Sequence, residues 1–236
     1  MAIAMGIIDG TGAFSDADYA KEMRNSFCKQ LADGLGSQAY YQQGPWIEGT
    51  NDAMKMYRTA EWLTARHRRD PSTRIMLAGY SRGAATVSAC VNYLARSGVK
   101  VESLFLFDAV ARHVLAYGRT VSANTAYCAH AIRNQEQAWQ DKYESFLIKS
   151  ETFGTWRNPF ASNVTRPYFG GVCTTAESGV TFDKAIFKGS HGALGGVGWK
   201  SVSEDPGCQA QVASWMNGKL RARGVGVSLV SFAPEG

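Results

Sequence analysis

Little in this 236-residue chain points to a membrane, a metal or a nucleic acid. No run approaches the ~18–20 consecutive apolar residues of a membrane-spanning helix. The opening Met1-Ala2-Ile3-Ala4-Met5-Gly6 carries no basic segment and runs straight into a strand pattern, so no cleavable signal is expected. The chain is therefore expected to be cytoplasmic as synthesised, with any export by a route that reads no signal peptide. The five cysteines, Cys28, Cys90, Cys128, Cys173 and Cys208, are scattered, odd in number and without C-x-x-C spacing. They suggest neither a zinc site nor a disulfide framework. Cys28 and Cys90 fall in helical patterns, where a reduced thiol packs as a small apolar group. No Gly-Lys-Ser/Thr follows Thr11-Gly12, which sets aside a phosphate-binding loop. No metal or organic cofactor is implied.

Charge is modest, at 19% of residues with a formal net charge of +5. That balance favours anionic partners through a diffuse field and is compatible with peripheral contact with an anionic lipid surface. Its two basic clusters, Arg66, Arg68 and Arg69 beside His67, and Lys219, Arg221 and Arg223, fall near the ends of expected helices. Cations there complement the helix dipole. No aromatic-interleaved basic strand or nucleic-acid motif accompanies them, so nucleic acid is not an expected partner.

What is present is an alternation of short apolar runs with longer amphipathic ones. Strands are expected at 5–9, 37–42, 73–78, 101–107, 125–132 and 182–187. Helices are expected at 16–31 (capped by Ser15 or Asp16), 51–68, 81–97, 135–143 and 205–223. The apolar sides are Tyr19, Met23, Phe27 and Leu31 on the first helix, and Met54, Tyr57, Trp62 and Ala65 on the second. On the last they are Val212, Trp215, Met216 and Leu220. Such alternation predicts an α/β fold, a mostly parallel sheet with helices on both faces. No linker or repeat divides the chain, so residues 1–236 read as a single domain. Residues 150–180, irregular and rich in glycine, proline and aromatics, read as a lid or acyl-binding wall, or as an insertion packed over the sheet.

The chemistry centres on Gly79-Tyr80-Ser81-Arg82-Gly83, which follows the apolar run Arg74 to Ala78 and precedes a helical stretch. In that strand–turn–helix setting G-x-S-x-G places a serine on a sharp turn, its hydroxyl clear of the sheet. The flanking glycines leave room where a Cβ would meet the crossing strand and helix. The competing reading is a serine helix cap. Serine needs a base to act as a nucleophile. Of the four histidines, His67 sits in a basic helix end, His113 follows Asp108 by a few residues, and His130 lies inside an apolar strand pattern. His191, in Gly189-Ser190-His191-Gly192, comes right after the last expected strand, at the sheet edge where α/β folds place their sites. It is the expected base, and the order serine, acid, histidine fits this class of hydrolase.

Asp108 ends the apolar strand Leu104-Phe105-Leu106-Phe107 and is the expected acid, because a carboxylate there needs a partner. A helix cap is its alternative reading. Glu136 is the rival acid, and Asp183, at a strand start, is less favoured. The oxyanion donors are expected to be the backbone N–H groups of Arg82 and Thr11, the latter in a loop whose Gly10 and Gly12 turn the chain inward.

Taken in order, these motifs resemble the α/β-hydrolase domain of the type VI secretion lipase-effector family. Asp9-Gly10-Thr11 is similar to its Asp-Gly-Thr, Gly79 to Ala84 to its nucleophile elbow, and Phe107-Asp108-Ala109-Val110 to the segment carrying its triad aspartate. Ala129-His130-Ala131 resembles a His-Ala stretch of the family, although Arg133-Asn134-Gln135-Glu136 replaces the Asp-Glu-x-Arg that usually follows. Phe187 to Gly196 resembles its Phe-x-Gly-x-His-x-Asp-x-Gly-Gly, with Ala193 in place of the aspartate, and Trp215-Met216 matches a recurring pair. The resemblance implies a Ser81–His191–Asp108 triad and a lipid or phospholipid ester as substrate. The expected activity is carboxylic ester hydrolysis by an esterase or lipase. The alternatives are a thioesterase, amidase or acyltransferase with the same triad, and a non-catalytic binding module.

Overall fold

The computed structural model describes residues 2–12, 15–45, 51–110, 120–134, 172–197 and 205–232. Its main sheet has six strands: β1 (Ile3–Ile8), β2 (Ala39–Gln42), β3 (Arg74–Tyr80), β4 (Val101–Phe107), β6 (Thr125–Arg133) and β8 (Thr181–Phe187). Their spatial order is β2-β1-β3-β4-β6-β8. Every pairing among them is parallel. Two short strands the sequence pattern did not reveal, β5 (Thr120–Val121) and β7 (Thr175–Ala176), pair with each other beside it.

A parallel sheet is buried on both faces, and its side chains divide with the two-residue strand period. Met5, Ile7, Met76, Ala78, Tyr80, Phe105 and Phe107 point to one face. There they meet α2 (Phe27–Leu35) and α6 (Asp205–Ala222), through Phe27, Leu31, Val212, Met216 and Leu220. Ala4, Ile8, Ile75, Leu77, Leu104 and Leu106 point to the other. They meet α3 (Asp52–Arg69) and α4 (Ser81–Arg96), through Ala60, Leu63, Val87, Val91 and Leu94. The architecture is α/β, a parallel sheet covered on both faces, as the alternating pattern predicts.

Two expectations change. The helix expected over 16–31 is two helices, α1 (Asp16–Glu22) and α2. Ser26 breaks it: its hydroxyl accepts from Lys29 N–H to cap α2 and donates to the carboxylate of Asp9. A local side-chain bond of this kind competes with helix continuation. Ser15 caps α1, accepting from Asp18 N–H. Tyr19, Met23, Phe27 and Leu31 are nevertheless all buried.

The inward side of α3 is also different from the one expected. Met54 and Tyr57 are exposed, and Thr59, Ala60, Leu63 and Thr64 face the sheet. The reason is the close approach of α3 to β1, where a Cβ on Gly6 would come within 2.4 Å of Thr59. Small side chains fit that gap. Trp62 instead stacks on Tyr40 with ring centroids 5.6 Å apart. The helix expected over 135–143, most of the 150–180 segment, His113 and Glu136 lie outside the described residues.

Candidate active site

The strand order reverses direction between β1 and β3, and an open α/β sheet leaves its crevice at the carboxyl ends of the strands on either side of that point. Asp9 follows β1 and Ser81 follows β3 there. The register brings the neighbouring ends level: Ile8 pairs with Gly79, Tyr80 with Phe107, Phe107 with Ala131, and Arg133 with Phe187. Asp108 and the turn leading to His191 therefore emerge on the same edge.

Ser81 has φ +57°, in the left-handed region that few side chains adopt. The turn is sharp because both flanking glycines are in contact with backbone. A Cβ at Gly79 would lie 2.7 Å from Ala84 Cα, and one at Gly83 would lie 2.1 Å from the carbonyl oxygen of Asp9. The helix α4 starts at Ser81 itself, so the hydroxyl and the Arg82 N–H sit at the positive end of the helix dipole. The Arg82 side chain turns away to a buried ion pair with Asp52 at 3.1 Å, tying the start of α3 to the elbow.

His191 opens a five-residue helix, α5 (His191–Gly195), an element not among the helices expected from the sequence. Ser190 caps it, accepting from Ala193 N–H at 3.1 Å. The imidazole lies between the two other expected residues. Its Nε2 is 2.8 Å from Ser81 Oγ and its Nδ1 is 2.7 Å from Asp108 Oδ2. An ionised carboxylate only accepts, so this contact puts the ring proton on Nδ1 and leaves Nε2 to accept from the serine hydroxyl. All three residues are buried.

Asp108 also has positive φ, +41°. Its N–H donates to Ala131 at 2.7 Å, and its Oδ1 accepts from the Arg133 N–H at 3.0 Å. The neighbouring Ala109 N–H donates to His130 Nε2 at 3.0 Å. His130 is thus a buried structural residue whose second nitrogen contacts the carbonyl of Cys173. His67 lies in the last turn of α3, which ends before β3 begins, at the opposite edge of the sheet. Asp183 sits within β8, bonded to Tyr127 and Lys219.

Two contributors were not legible as such. Tyr80, the variable residue before the serine, donates to the His191 carbonyl at 3.0 Å, and its ring packs 5.0 Å from the imidazole. Arg133, fully buried, reaches the Gly189 carbonyl through Nε at 2.6 Å and so fixes the turn before His191. The sequence offered one signal for it, an arginine ending an otherwise apolar strand.

The loop after β1 is held from several sides. The Gly10 N–H donates to Asp9 Oδ1 at 2.8 Å. Asp9 also accepts from Tyr41 at 2.9 Å and from Ser26, and burial pushes its carboxyl up to about 6. Among the described residues, no group of three or more His, Cys, Asp or Glu is placed to hold a metal ion. No described helix is long and apolar enough to cross a membrane.

The strand order, the parallel pairings and the strand-to-helix turn at Ser81 make up an α/β-hydrolase-like fold. No family model and no curated protein sequence matches the chain. Several solved structures are similar to it. The NocB thioesterase domain, solved as a covalent complex with a fluorophosphonate nocardicin G analog, aligns with a TM-score of 0.47 at 11% identity, over 90% of this chain and 93% of that one. A thermostable esterase from Pseudomonas putida aligns with a TM-score of 0.41 at 11% identity, over 81% and 66%. A cutinase-like protein from Cryptococcus sp. aligns with a TM-score of 0.32 at 18% identity over 52% of this chain. The chain spans 60% of that protein's length and 48% of the length of an uncharacterized protein from Pseudomonas aeruginosa. The resemblance to type VI lipase effectors rests on the motifs alone.

Proposed function

We propose that the chain is a serine hydrolase of carboxylic esters, with Ser81 as nucleophile, His191 as general base and acid, and Asp108 as the group that orients the imidazole. The observation that carries this reading is the continuous contact from Asp108 Oδ2 through His191 to Ser81 Oγ, at 2.7 and 2.8 Å. Ser81 Oγ attacks the ester carbonyl while His191 Nε2 takes its proton. The proton passes to the departing alcohol, leaving an acyl group on Ser81. Water then repeats the sequence, with His191 as its base, to release the acid. Asp108 keeps the Nδ1 tautomer and stabilises the imidazolium as it forms. The backbone N–H groups of Arg82 and Thr11 receive the oxyanion, each contributing roughly 3–4 kcal/mol to the barrier reduction. A lipid or phospholipid ester is the substrate that the family resemblance favours.

The test is a short nitrophenyl ester and a fluorophosphonate probe applied to the native chain and to Ser81→Ala. The native chain should hydrolyse the ester and take the label on Ser81, and a folded Ser81→Ala should do neither. Native turnover in the alanine variant would overturn the reading. Matched oxygen-ester and thioester substrates separate an esterase from a thioesterase.

A further inference from the structure

The Gly10–Thr11 peptide is held in one orientation from several sides. The Tyr19 hydroxyl, buried in α1, donates to the Gly10 carbonyl at 2.7 Å. The same hydroxyl accepts from the Gly44 N–H at 2.6 Å. Gly44 closes over the carbonyl so tightly that a Cβ there would lie 1.8 Å from the Gly10 oxygen. On another side Gly10 lies on the Tyr80 ring, 2.4 Å from where its own Cβ would be. The preceding N–H is bonded to Asp9.

A trans peptide is planar, and its C=O and the next N–H point in opposite directions. None of the described peptide bonds is cis. With the Gly10 carbonyl held towards Tyr19 and Gly44, the Thr11 N–H must point away from them. Among the described residues no acceptor takes that N–H, and the buried Thr11 hydroxyl is likewise without a partner. A buried hydroxyl is costly to leave unmet, so with it and the Thr11 N–H the loop presents hydrogen-bonding groups that a ligand oxygen would complete.

We infer that Tyr19 is a positioning residue for the oxyanion hole: its hydroxyl, with Gly44 behind it, sets the Gly10–Thr11 peptide so that the Thr11 N–H faces the oxyanion. This rests on the hydrolase reading of Ser81. Tyr19 touches no reacting atom. Without its hydroxyl the Gly10 carbonyl loses the donor that fixes its direction, and a rotated peptide would turn a carbonyl towards developing negative charge.

The experiment compares the native chain with Tyr19→Phe on a nitrophenyl ester and on an alkyl trifluoromethyl ketone. Ser81 Oγ adds to the ketone carbon, its proton passes to His191, and the resulting hemiketal oxyanion occupies the hole. In Tyr19→Phe, kcat should fall on the order of 100-fold with KM within about twofold of native. The ketone's inhibition constant should rise by the same factor as kcat/KM falls. A folded Tyr19→Phe with native kcat and native ketone affinity would overturn the inference, as would a loss confined to KM. If Tyr19→Phe does not fold, a crystal structure of the native chain with the ketone bound carries the test: the hemiketal oxygen should accept from the Thr11 N–H with the Tyr19 hydroxyl still on the Gly10 carbonyl, and a hemiketal oxygen that does not meet the Thr11 N–H would overturn the inference. A native chain inert to ester and probe would remove the hydrolase reading and this inference together, whereas an active native chain with an equally active Tyr19→Phe would remove this inference alone.

Discussion

Tyr80 and His191, 111 positions apart in the chain, are joined by a hydrogen bond from the tyrosine hydroxyl to the histidine carbonyl at 3.0 Å. Their rings lie 5.0 Å apart. A Cβ on Gly10 would lie 2.4 Å from the Tyr80 ring, and one on Gly195 would lie 2.5 Å from it. Tyr80 therefore spaces the loop after β1 from the histidine turn while Ser81 follows it in the chain. Tyr80→Phe removes one buried hydrogen bond and should cost about 1–3 kcal/mol, since the His191 carbonyl loses a donor. Urea unfolding measures that cost. Esterase turnover should drop modestly, because the imidazole keeps both side-chain contacts.

Asp108→Asn keeps the shape of the site but presents the wrong hydrogen-bonding group to His191 Nδ1. By comparison with the same exchange in the serine-protease triad, kcat should fall by as much as ~10⁴-fold. Glu136→Gln should have little effect. Steady-state kinetics on one nitrophenyl ester decides between the two, and a crippled Glu136→Gln beside a mild Asp108→Asn would reassign the acid.

Asp9 links stability to pH. Burial raises its folded-state value from 3.8 to about 6, against the pull of its three hydrogen bonds. Between those values the folded state binds the proton and the unfolded state does not. Stability from this group is therefore highest at low pH and declines as pH rises from about 4 to about 6. The cost of the ionised form above that range is about 3 kcal/mol. Asp9→Asn should abolish this slope, so its stability relative to the native chain should improve from pH 4.5 to pH 7.5. Denaturant midpoints at the two pH values measure it.

Gly83→Ala places a Cβ 2.1 Å from the Asp9 carbonyl oxygen and 2.3 Å from that of Ile8. Both are backbone atoms at the end of β1, so neither yields cheaply. The variant should lose several kcal/mol or fail to fold. Gly207→Ala, where an added Cβ meets nothing, should be neutral or slightly stabilising because alanine favours the helix. Thermal melts of the pair provide the check.

His130→Phe should leave the Ala109 N–H buried without an acceptor and cost roughly 1–3 kcal/mol. Labelling of Ser81 by a fluorophosphonate should persist, as His130 is occupied by the Ala109 amide and the Cys173 carbonyl. Loss of labelling in a folded variant would make His130 part of the chemistry.

Several of these positions were legible in one dimension. Strand ends were readable because a parallel sheet buries both faces, giving short apolar runs such as Leu104 to Phe107 that stop at a polar residue. The elbow was readable because glycine, serine and glycine at that spacing answer a local steric problem. The expected inward side of α3 misled because Met54 and Tyr57 look like core residues, whereas the contact with Gly6 selects Thr59 and Ala60. Nothing along the chain distinguishes these choices, since they depend on how closely two elements approach.

The amino-acid order by itself determined the α/β alternation, the strained turn at Ser81 and the candidate set Ser81, Asp108 and His191, since each follows from local periodicity, sterics or the cost of a lone polar group. Only the tertiary structure decided that His191 lies between the other two, that Tyr80 and Arg133 hold the histidine turn, and that Tyr19 and Gly44 clamp the Gly10 peptide. Those contacts join residues distant in sequence through single hydrogen bonds and close packing. Such distances are set by the register of the sheet and the seating of its helices.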